Sequence, residues 1–398
     1  MSVTAVDGFE AAGVACGIKP DGRPDLALVA TTDRQPVPAA GVFTSNLACA
    51  APVQISRAHL HDGRAAAVVL SSGNANAATG EQGRRDALRM CELTAAGIGC
   101  ASDEVLVCST GLIGIPMPMA PLERGIPAAA VALASGPDAG RAAAEAMLTT
   151  DTRRKEALAV VELPGGARLT VGGMAKGAAM LAPAMATMLA VLTTDAAAPA
   201  SVLHAALEAA VADTFNALVV DGCTSTNDTV LLLASGTARA PVEGDAAGFR
   251  ALVGAVTDVC DQLAAAMASD AEGATKLVRI VVRGASSNDD ARRAARAVAS
   301  SQLVQCSLFG CDPYWGRVLS ELGASGAAFD PEHVDIAYNG ITVCRDGIAT
   351  PHDEAALTTS MAQRDIAIDC DLHQGSGEAF VRFTDLTHAY IDENRGTS

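Results

Sequence analysis

What stands out for chemistry is a lysine followed by a threonine, Thr187, at the start of a buried strand. The threonine opens the apolar stretch MLAVLTTD and follows Lys176 by eleven positions, the lysine standing in Gly172-Gly173-Met174-Ala175-Lys176-Gly177. A threonine hydroxyl becomes a useful nucleophile only when a neighbouring base takes its proton. A lysine among small apolar residues can pair with a carboxylate. On composition alone the plainer reading is a buried strand with a snorkelling lysine beside it. Further polar turns shift that balance. Ser71-Ser72-Gly73-Asn74-Ala75-Asn76 supplies amides in a tight turn, and Cys108-Ser109-Thr110-Gly111 sets a hydroxyl beside a flexible backbone N–H. Thr149-Thr150-Asp151-Thr152, the run 221–229 (DGCTSTNDT) and Asp270-Ala271-Glu272-Gly273-Ala274-Thr275-Lys276 are equally polar. Each stands at the end of an apolar element, where sites are built.

Other chemistries lack their residues. The chain has no GxxxxGKS/T and no GxSxG, and Gly172-Gly173 does not form a dinucleotide fingerprint. A net charge of −17 argues against nucleic acid and against anionic membranes. Eleven cysteines without CxxC pairs, and seven scattered histidines, assemble no metal site. Buried thiols in a reducing cytoplasm account for the cysteines. No secretory signal is evident in MSVTAVDGFE. The uncharged stretch 177–194 is long enough to span a membrane, but Pro183 and its threonines and alanines favour a buried segment.

The elements that must position these residues alternate between β-like and helical patterns. Strands are expected at 65–70, 104–109 (ending at Thr110-Gly111), 157–163, 168–171, 230–234 and 277–282, with another after Thr187. Helices are expected at 81–98, 122–133, 140–148, 201–217, within 246–269, and at 289–300. Val334, Ile336 and Tyr338 alternate up to Asn339-Gly340, and Ile341 and Val343 resume beyond it, a hairpin signature. With 366–372 alternating as well, the C-terminal third reads as half-buried antiparallel sheet. Half the residues are apolar but only 3% aromatic, so the core must be closely packed from small side chains. The fold class is α/β of the layered α+β type, with sheets sandwiched by helices.

Taken together, SGNANAATGEQG, CSTGLIG, GGMAKG, APAMATML, TSTNDTVLLL, DAEGATK, FGCDPYWGR and Thr384-Asp385-Leu386 resemble the ornithine acetyltransferase (glutamate N-acetyltransferase) family from about Gly13 onward. The resemblance implies an N-terminal-nucleophile fold related to aminopeptidases and self-cleavage between Ala186 and Thr187. The products would be an α chain, 1–186, and a β chain, 187–398, beginning with the nucleophile. It further implies ping-pong transfer of acetyl from N-acetylornithine to glutamate, in the cytoplasm and without a cofactor, by an assembly of two α and two β chains. Thr110 and Gly111 match the family's oxyanion hole. Thr149, Lys176, Thr187, Glu272, Asn394 and Ser398 match its substrate contacts, with Thr397 the alternative to Ser398. Some members also take acetyl-CoA. The sequence departs from the family pattern at Ala178-Ala179, Ala184, Tyr314 and the shortened tail.

Three other readings follow from the same residues. One is a secondary-metabolism paralogue with a different acceptor. Another is an amidase or aminopeptidase on the related fold, against which Lys176 and Glu272 argue by providing for two amino-acid substrates. The third is an uncleaved, non-catalytic binding protein.

Overall fold

The computed structural model describes residues 2–163, 166–181, 188–238, 241–242 and 246–395, the side chain of Ala246 excepted. The chain forms two compact units, Met1–Gly177 with Ala184–Asn216 and Thr224–Met267, and Ala178–Pro183 with Ala217–Cys223 and Ala268–Ser398.

The first unit holds two sheets. In the four-stranded sheet, Phe9–Val14, Leu26–Thr31, Ala67–Asn74 and Val105–Leu112 lie side by side, the last two parallel. The six-stranded sheet runs Arg64–Ala65, Val37–Phe43, Thr229–Ala234, Leu189–Thr194, Arg168–Lys176, Lys155–Glu162. Because side chains alternate along a strand, Val68, Leu70, Leu106 and Cys108 turn inward to meet Met174, Leu189, Val191, Leu231 and Leu233 of the other sheet. Ala67, Val69, Val105 and Val107 face the opposite way, onto Met90, Leu122 and Ile126 of helices Gly80–Ile98 and Met119–Val131. Helix Ala200–Asp213 lies against Val37–Phe43. Helix Ala246–Ala268 covers Gly173, where a Cβ would stand 2.8 Å from Val259 Cγ1 and 2.5 Å from Leu192 Cδ2. The result is helix, sheet, sheet, helix, the layered architecture expected. The small side chains matter because layers this close leave no room for larger ones.

The helix Ala246–Ala268 is long and apolar enough to cross a bilayer. Half of it is buried in the protein, with Leu252, Val256, Val259, Leu263 and Met267 covered and Asp258 and Gln262 outward. This is the pattern of a core helix. Of the stretch 177–194, Leu189–Thr194 is a fully buried strand.

The second unit is a seven-stranded sheet, Leu218–Val219, Gly377–Thr384, Leu277–Ala285, Asp365–Asp371, Asp335–Tyr338, Ile341–Arg345, Ile348–Ala349. Val278, Ile280, Val282, Ile336, Ile368 and Phe383 share one face with Ala291, Ala294, Val298, Leu308 and Leu322 from helices. Helix Asn288–Ser300 is capped by Ser287, whose hydroxyl accepts from Asp290 N–H. Asn339 and Gly340 take positive φ, 49° and 79°, as a two-residue hairpin turn requires. The sheet is mainly antiparallel, as expected, but Leu277–Ala285 pairs parallel with Asp365–Asp371, and Leu218–Val219 parallel with Gly377–Thr384. Alternating patterns carry no direction, so the sequence could not show this.

Several boundaries also differ, the strand expected over 168–171 running on to Lys176 and the helices expected at 122–133 and 140–148 lying at Met119–Val131 and Pro137–Ala146. The strand expected to stop before Thr110-Gly111 continues to Leu112. The helix expected over 201–217 ends at Asp213, where Thr214 leaves helical geometry and folds its hydroxyl back onto the Ala210 carbonyl. None of the eleven cysteines is in a disulfide; Cys91, Cys108, Cys260, Cys344 and Cys370 are buried as expected, whereas Cys223 and Cys306 are exposed.

Candidate active site

In the first unit, Lys176 ends strand Arg168–Lys176, opposite Leu189 of the neighbouring strand. It is 3% exposed. Beside it stands Asp151, in the loop between helix Pro137–Ala146 and strand Lys155–Glu162. Asp151 Oδ1 accepts from Lys155 Nζ at 2.6 Å and from Gly177 N–H at 2.7 Å. Its Oδ2 accepts from Thr149 N–H at 3.1 Å and lies 3.6 Å from Lys176 Nζ. Burial alone would raise this carboxyl, but the charges of Lys176 and Lys155 and these hydrogen bonds hold it far below the usual carboxylate range. One carboxylate thus serves two buried ammoniums. Lys155 takes the short hydrogen bond. Among the described residues Lys176 Nζ makes only the longer ion pair, the arrangement of a cation that a second anion can approach.

Thr110 and Gly111 lie near the end of strand Val105–Leu112. Gly111 has φ +136°, and a Cβ there would stand 2.3 Å from the Gly73 carbonyl carbon and 2.4 Å from Asn74 N. No side chain fits, and the ladder to Ala67–Asn74 loses its regular register at this point. The Thr110 hydroxyl, 3% exposed, has no hydrogen-bond partner among the described residues. The preceding polar turn is self-satisfied. Asn74 Nδ2 donates to the Ile115 and Pro116 carbonyls, and Asn76 Nδ2 to that of Gly83.

Two residues that the sequence reading did not single out stand between these groups and the position after Thr187. Asn227 Nδ2 donates to the carbonyls of Ala75 at 2.6 Å and Ser109 at 2.8 Å. Asp228 Oδ1 accepts from Met188 N–H at 2.9 Å, while its buried Oδ2 has no partner among the described residues. Burial pushes the Asp228 carboxyl well up, against the pull of Met188 N–H, the Ser225 hydroxyl and Lys176.

In the second unit, Glu272 N–H donates to the Ala178 carbonyl and Glu272 Oε2 accepts from Asn394 Nδ2 at 2.7 Å. Asn394 ends the short helix His388–Asn394, which Thr387 fixes by accepting from Tyr390 N–H and donating to the Gly273 carbonyl. Glu272 and Asn394 are therefore brought together. Lys276, in the same motif as Glu272, is structural, its Nζ donating to the Met361 and Gln363 carbonyls. Close by, Asp221 Oδ2 accepts from Met180 N–H and from the Tyr390 hydroxyl, and burial pushes its carboxyl up. Ala186, Thr187, Thr397 and Ser398 lie outside the described residues.

Among the described residues no group of three or more histidine, cysteine, aspartate or glutamate side chains could hold a metal. A cleft of about 730 Å³ lies beside Asp151, lined by Lys19, Arg23, Glu145, Arg153 and Arg154 but not by Thr110, Gly111 or Lys176. Its charges are partly met within it, Arg154 by Glu145 at 3.0 Å and Glu156 at 2.9 Å.

This arrangement has relatives. The chain is 48% identical over 395 residues to the arginine biosynthesis bifunctional protein ArgJ of Symbiobacterium thermophilum, covering 98% of this chain and 97% of that protein. It is 47% identical over 398 residues to the protein of that name from Thermobifida fusca, covering all of both. The crystal structure of the Bacillus halodurans protein of that name matches with a TM-score of 0.50 and 34% identity, over 51% of this chain and 96% of that one. The profile of the ArgJ family matches residues 10–396, and this chain belongs to that family.

Proposed function

We propose that the protein is a glutamate N-acetyltransferase of arginine biosynthesis, an acyltransferase that carries acetyl from N2-acetylornithine to glutamate on Thr187. The observation that carries the reading is the Lys176 ammonium, buried and, among the described residues, paired only at 3.6 Å with a carboxylate it shares. Acetylornithine and glutamate both present an α-carboxylate, so one such cation can receive each in turn.

Self-cleavage makes the nucleophile. Thr187 Oγ attacks the Ala186 carbonyl carbon, the C–N bond breaks with the proton going to Thr187 N, and water hydrolyses the resulting ester. The freed α-amine, with an ordinary pKa of about 7.7–8.0, then takes the hydroxyl proton at neutral pH. Oγ attacks the acetyl carbonyl, and ornithine leaves with that proton on its α-nitrogen. Glutamate's amine then attacks the acetyl-threonine ester and restores the hydroxyl. Each tetrahedral intermediate carries an oxyanion, to which the Thr110 hydroxyl and Gly111 N–H donate. One such donor contributes roughly 2.7–4 kcal/mol. Thr149, Lys176, Glu272, Asn394 and Ser398 contact the substrates, with Glu272 meeting an ammonium.

Two observations support cleavage into 1–186 and 187–398. Strand Arg168–Lys176 pairs with Leu189–Thr194, so the products would stay joined within one sheet. The B. halodurans chain, matched over nearly all its length by half of this one, is about the size such a product would have. An assembly of two α and two β chains in the cytoplasm completes the proposal, and the name bifunctional borne by the relatives motivates acetyl-CoA as a second donor to assay.

The test is to trap the intermediate. With acetylornithine alone, mass spectrometry should find one acetyl group on the β chain, at Thr187, and added glutamate should discharge it as N-acetylglutamate. Discharge by water at the same rate with or without glutamate would make the protein an amidase. An enzyme that transfers without ever acetylating Thr187 would overturn the mechanism.

A further inference from the structure

Acetyl transfer requires the oxyanion donors and the nucleophile to hold a fixed separation, yet they come from different sheets. Thr110 and Gly111 belong to the four-stranded sheet, while Thr187 precedes the strand Leu189–Thr194 of the six-stranded one. Packing of apolar side chains between the sheets is non-directional and sets no such distance closely. Directional bonds are needed, and one dipeptide supplies them on both sides.

Asn227 is 5% exposed and spends both amide hydrogens at the four-stranded sheet, on Ser109 O within it and on Ala75 O just past strand Ala67–Asn74. The Ser109 carbonyl belongs to the peptide bond that leads into Thr110. Its own Oδ1 is held by the Thr226 hydroxyl at 2.6 Å, so the amide cannot rotate without losing all three bonds. The next residue, Asp228, is fully buried and reaches the other way, to Met188 N–H. That N–H belongs to the peptide bond leaving Thr187. Thr229 N–H takes the Met188 carbonyl at 3.2 Å, so Met188 is held through both its backbone groups.

We propose that Asn227 and Asp228 are positioning residues that together clamp the Ser109–Thr110 and Thr187–Met188 peptide bonds at a fixed separation, setting nucleophile against oxyanion donors for both self-cleavage and acetyl transfer. The proposal rests on the functional reading given above. The Asp228 carboxyl, pushed up by burial, fits it: Oδ1 acts here as an oriented acceptor for Met188 N–H, a part that an amide of the same shape can also play.

The experiment compares Asn227→Asp, Asp228→Ala and Asp228→Asn with the wild type. It follows self-cleavage by intact mass with time, kcat and KM for transfer, and the thermal midpoint, all assays running well below each protein's midpoint. Asn227→Asp keeps the shape but cannot donate to either carbonyl, and Asp228→Ala has no acceptor for Met188 N–H. Both should slow cleavage and lower kcat by roughly tenfold to a hundredfold, the cost of a misplacement near 1 Å, with KM changed far less. Asp228→Asn should recover most of what Asp228→Ala loses. Cleavage and kcat near wild type in Asn227→Asp and Asp228→Ala would overturn the clamp, as would equal losses in Asp228→Asn and Asp228→Ala. Absence of cleavage and transfer in the wild type itself would instead remove the functional reading on which the clamp depends.

Discussion

Asp151→Asn should weaken the fold and the grip on both substrates at once. The carboxylate is wholly buried and faces two ammoniums, at 2.6 Å and 3.6 Å. The carboxamide keeps the volume but removes the charge and one acceptor oxygen. If it keeps Lys155 and Gly177 N–H, it must release Thr149 N–H and Lys176. Removing one partner from a buried ion pair costs about 3–5 kcal/mol, because the remaining charge has nothing to face. Against a typical stability of about 5–15 kcal/mol, that is a large fraction. Urea unfolding at neutral pH should show it as a lower midpoint, and KM for acetylornithine and for glutamate should rise together. Adding Lys155→Met removes one of the stranded ammoniums and should restore part of the midpoint without restoring either KM. The pH dependence has a defined sign. The folded carboxyl titrates below its unfolded value of about 3.9, so its contribution is complete above that pH and disappears as pH falls beneath it. The wild type's stability advantage over Asp151→Asn should therefore shrink as pH falls below about 4. A variant with an unchanged midpoint and unchanged KM values would refute the reasoning.

Other substitutions test other parts of the account. Gly111→Ala sets a Cβ 2.3 Å from backbone at φ +136°, so the donor strand must move, and kcat should fall by about 10²–10³ in steady-state transfer assays. Gly173→Val forces side-chain atoms against Leu192 and Val259 and should cost about 1–3 kcal/mol, read as a lower thermal midpoint. Asn394→Ala removes the bond to Glu272 Oε2 from an exposed helix end; stability should hold within about 0.5 kcal/mol. KM should rise severalfold in that variant, by the roughly 0.5–1.5 kcal/mol of one hydrogen bond.

Local signals carried many of the elements, but none was expected at Phe9–Val14, Leu26–Thr31, Val37–Phe43, Ala51–His59, Gln302–Phe309 or Trp315–Ala324. Asn339-Gly340 between alternating apolar residues specifies its hairpin, and the periodicity of 81–98 and 289–300 specifies helices that differ from the observed ones by one residue at the start. What local signals omit is partnership. The alternation of Ile366, Ile368 and Cys370 shows one buried face but not that Leu277–Ala285 lies parallel beside it. Among the site residues, Thr110, Gly111, Lys176 and Glu272 stand out within their own motifs. Asp151, Asn227 and Asp228 do not, since an acidic or amide residue in a polar turn is ordinary. Only the approach of Lys176 from 25 positions away and of Ser109 from 118 positions away shows what Asp151 and Asn227 hold. The polar residue at 151 did carry one signal, its place in a turn beside Thr149, but its charge partner could not be read from spacing.

The central claim is that Thr187 becomes a chain terminus and then the nucleophile. The most direct measurement is the intact mass, under denaturing conditions, of the purified wild type beside Thr187→Ala, with transfer activity assayed on the same samples. The account predicts two polypeptides meeting at Ala186/Thr187 that co-purify until denatured, and a single inactive chain in the variant. A wild type that transfers acetyl while remaining one 40.1 kDa chain, or a Thr187→Ala protein that is cut and active, would contradict it.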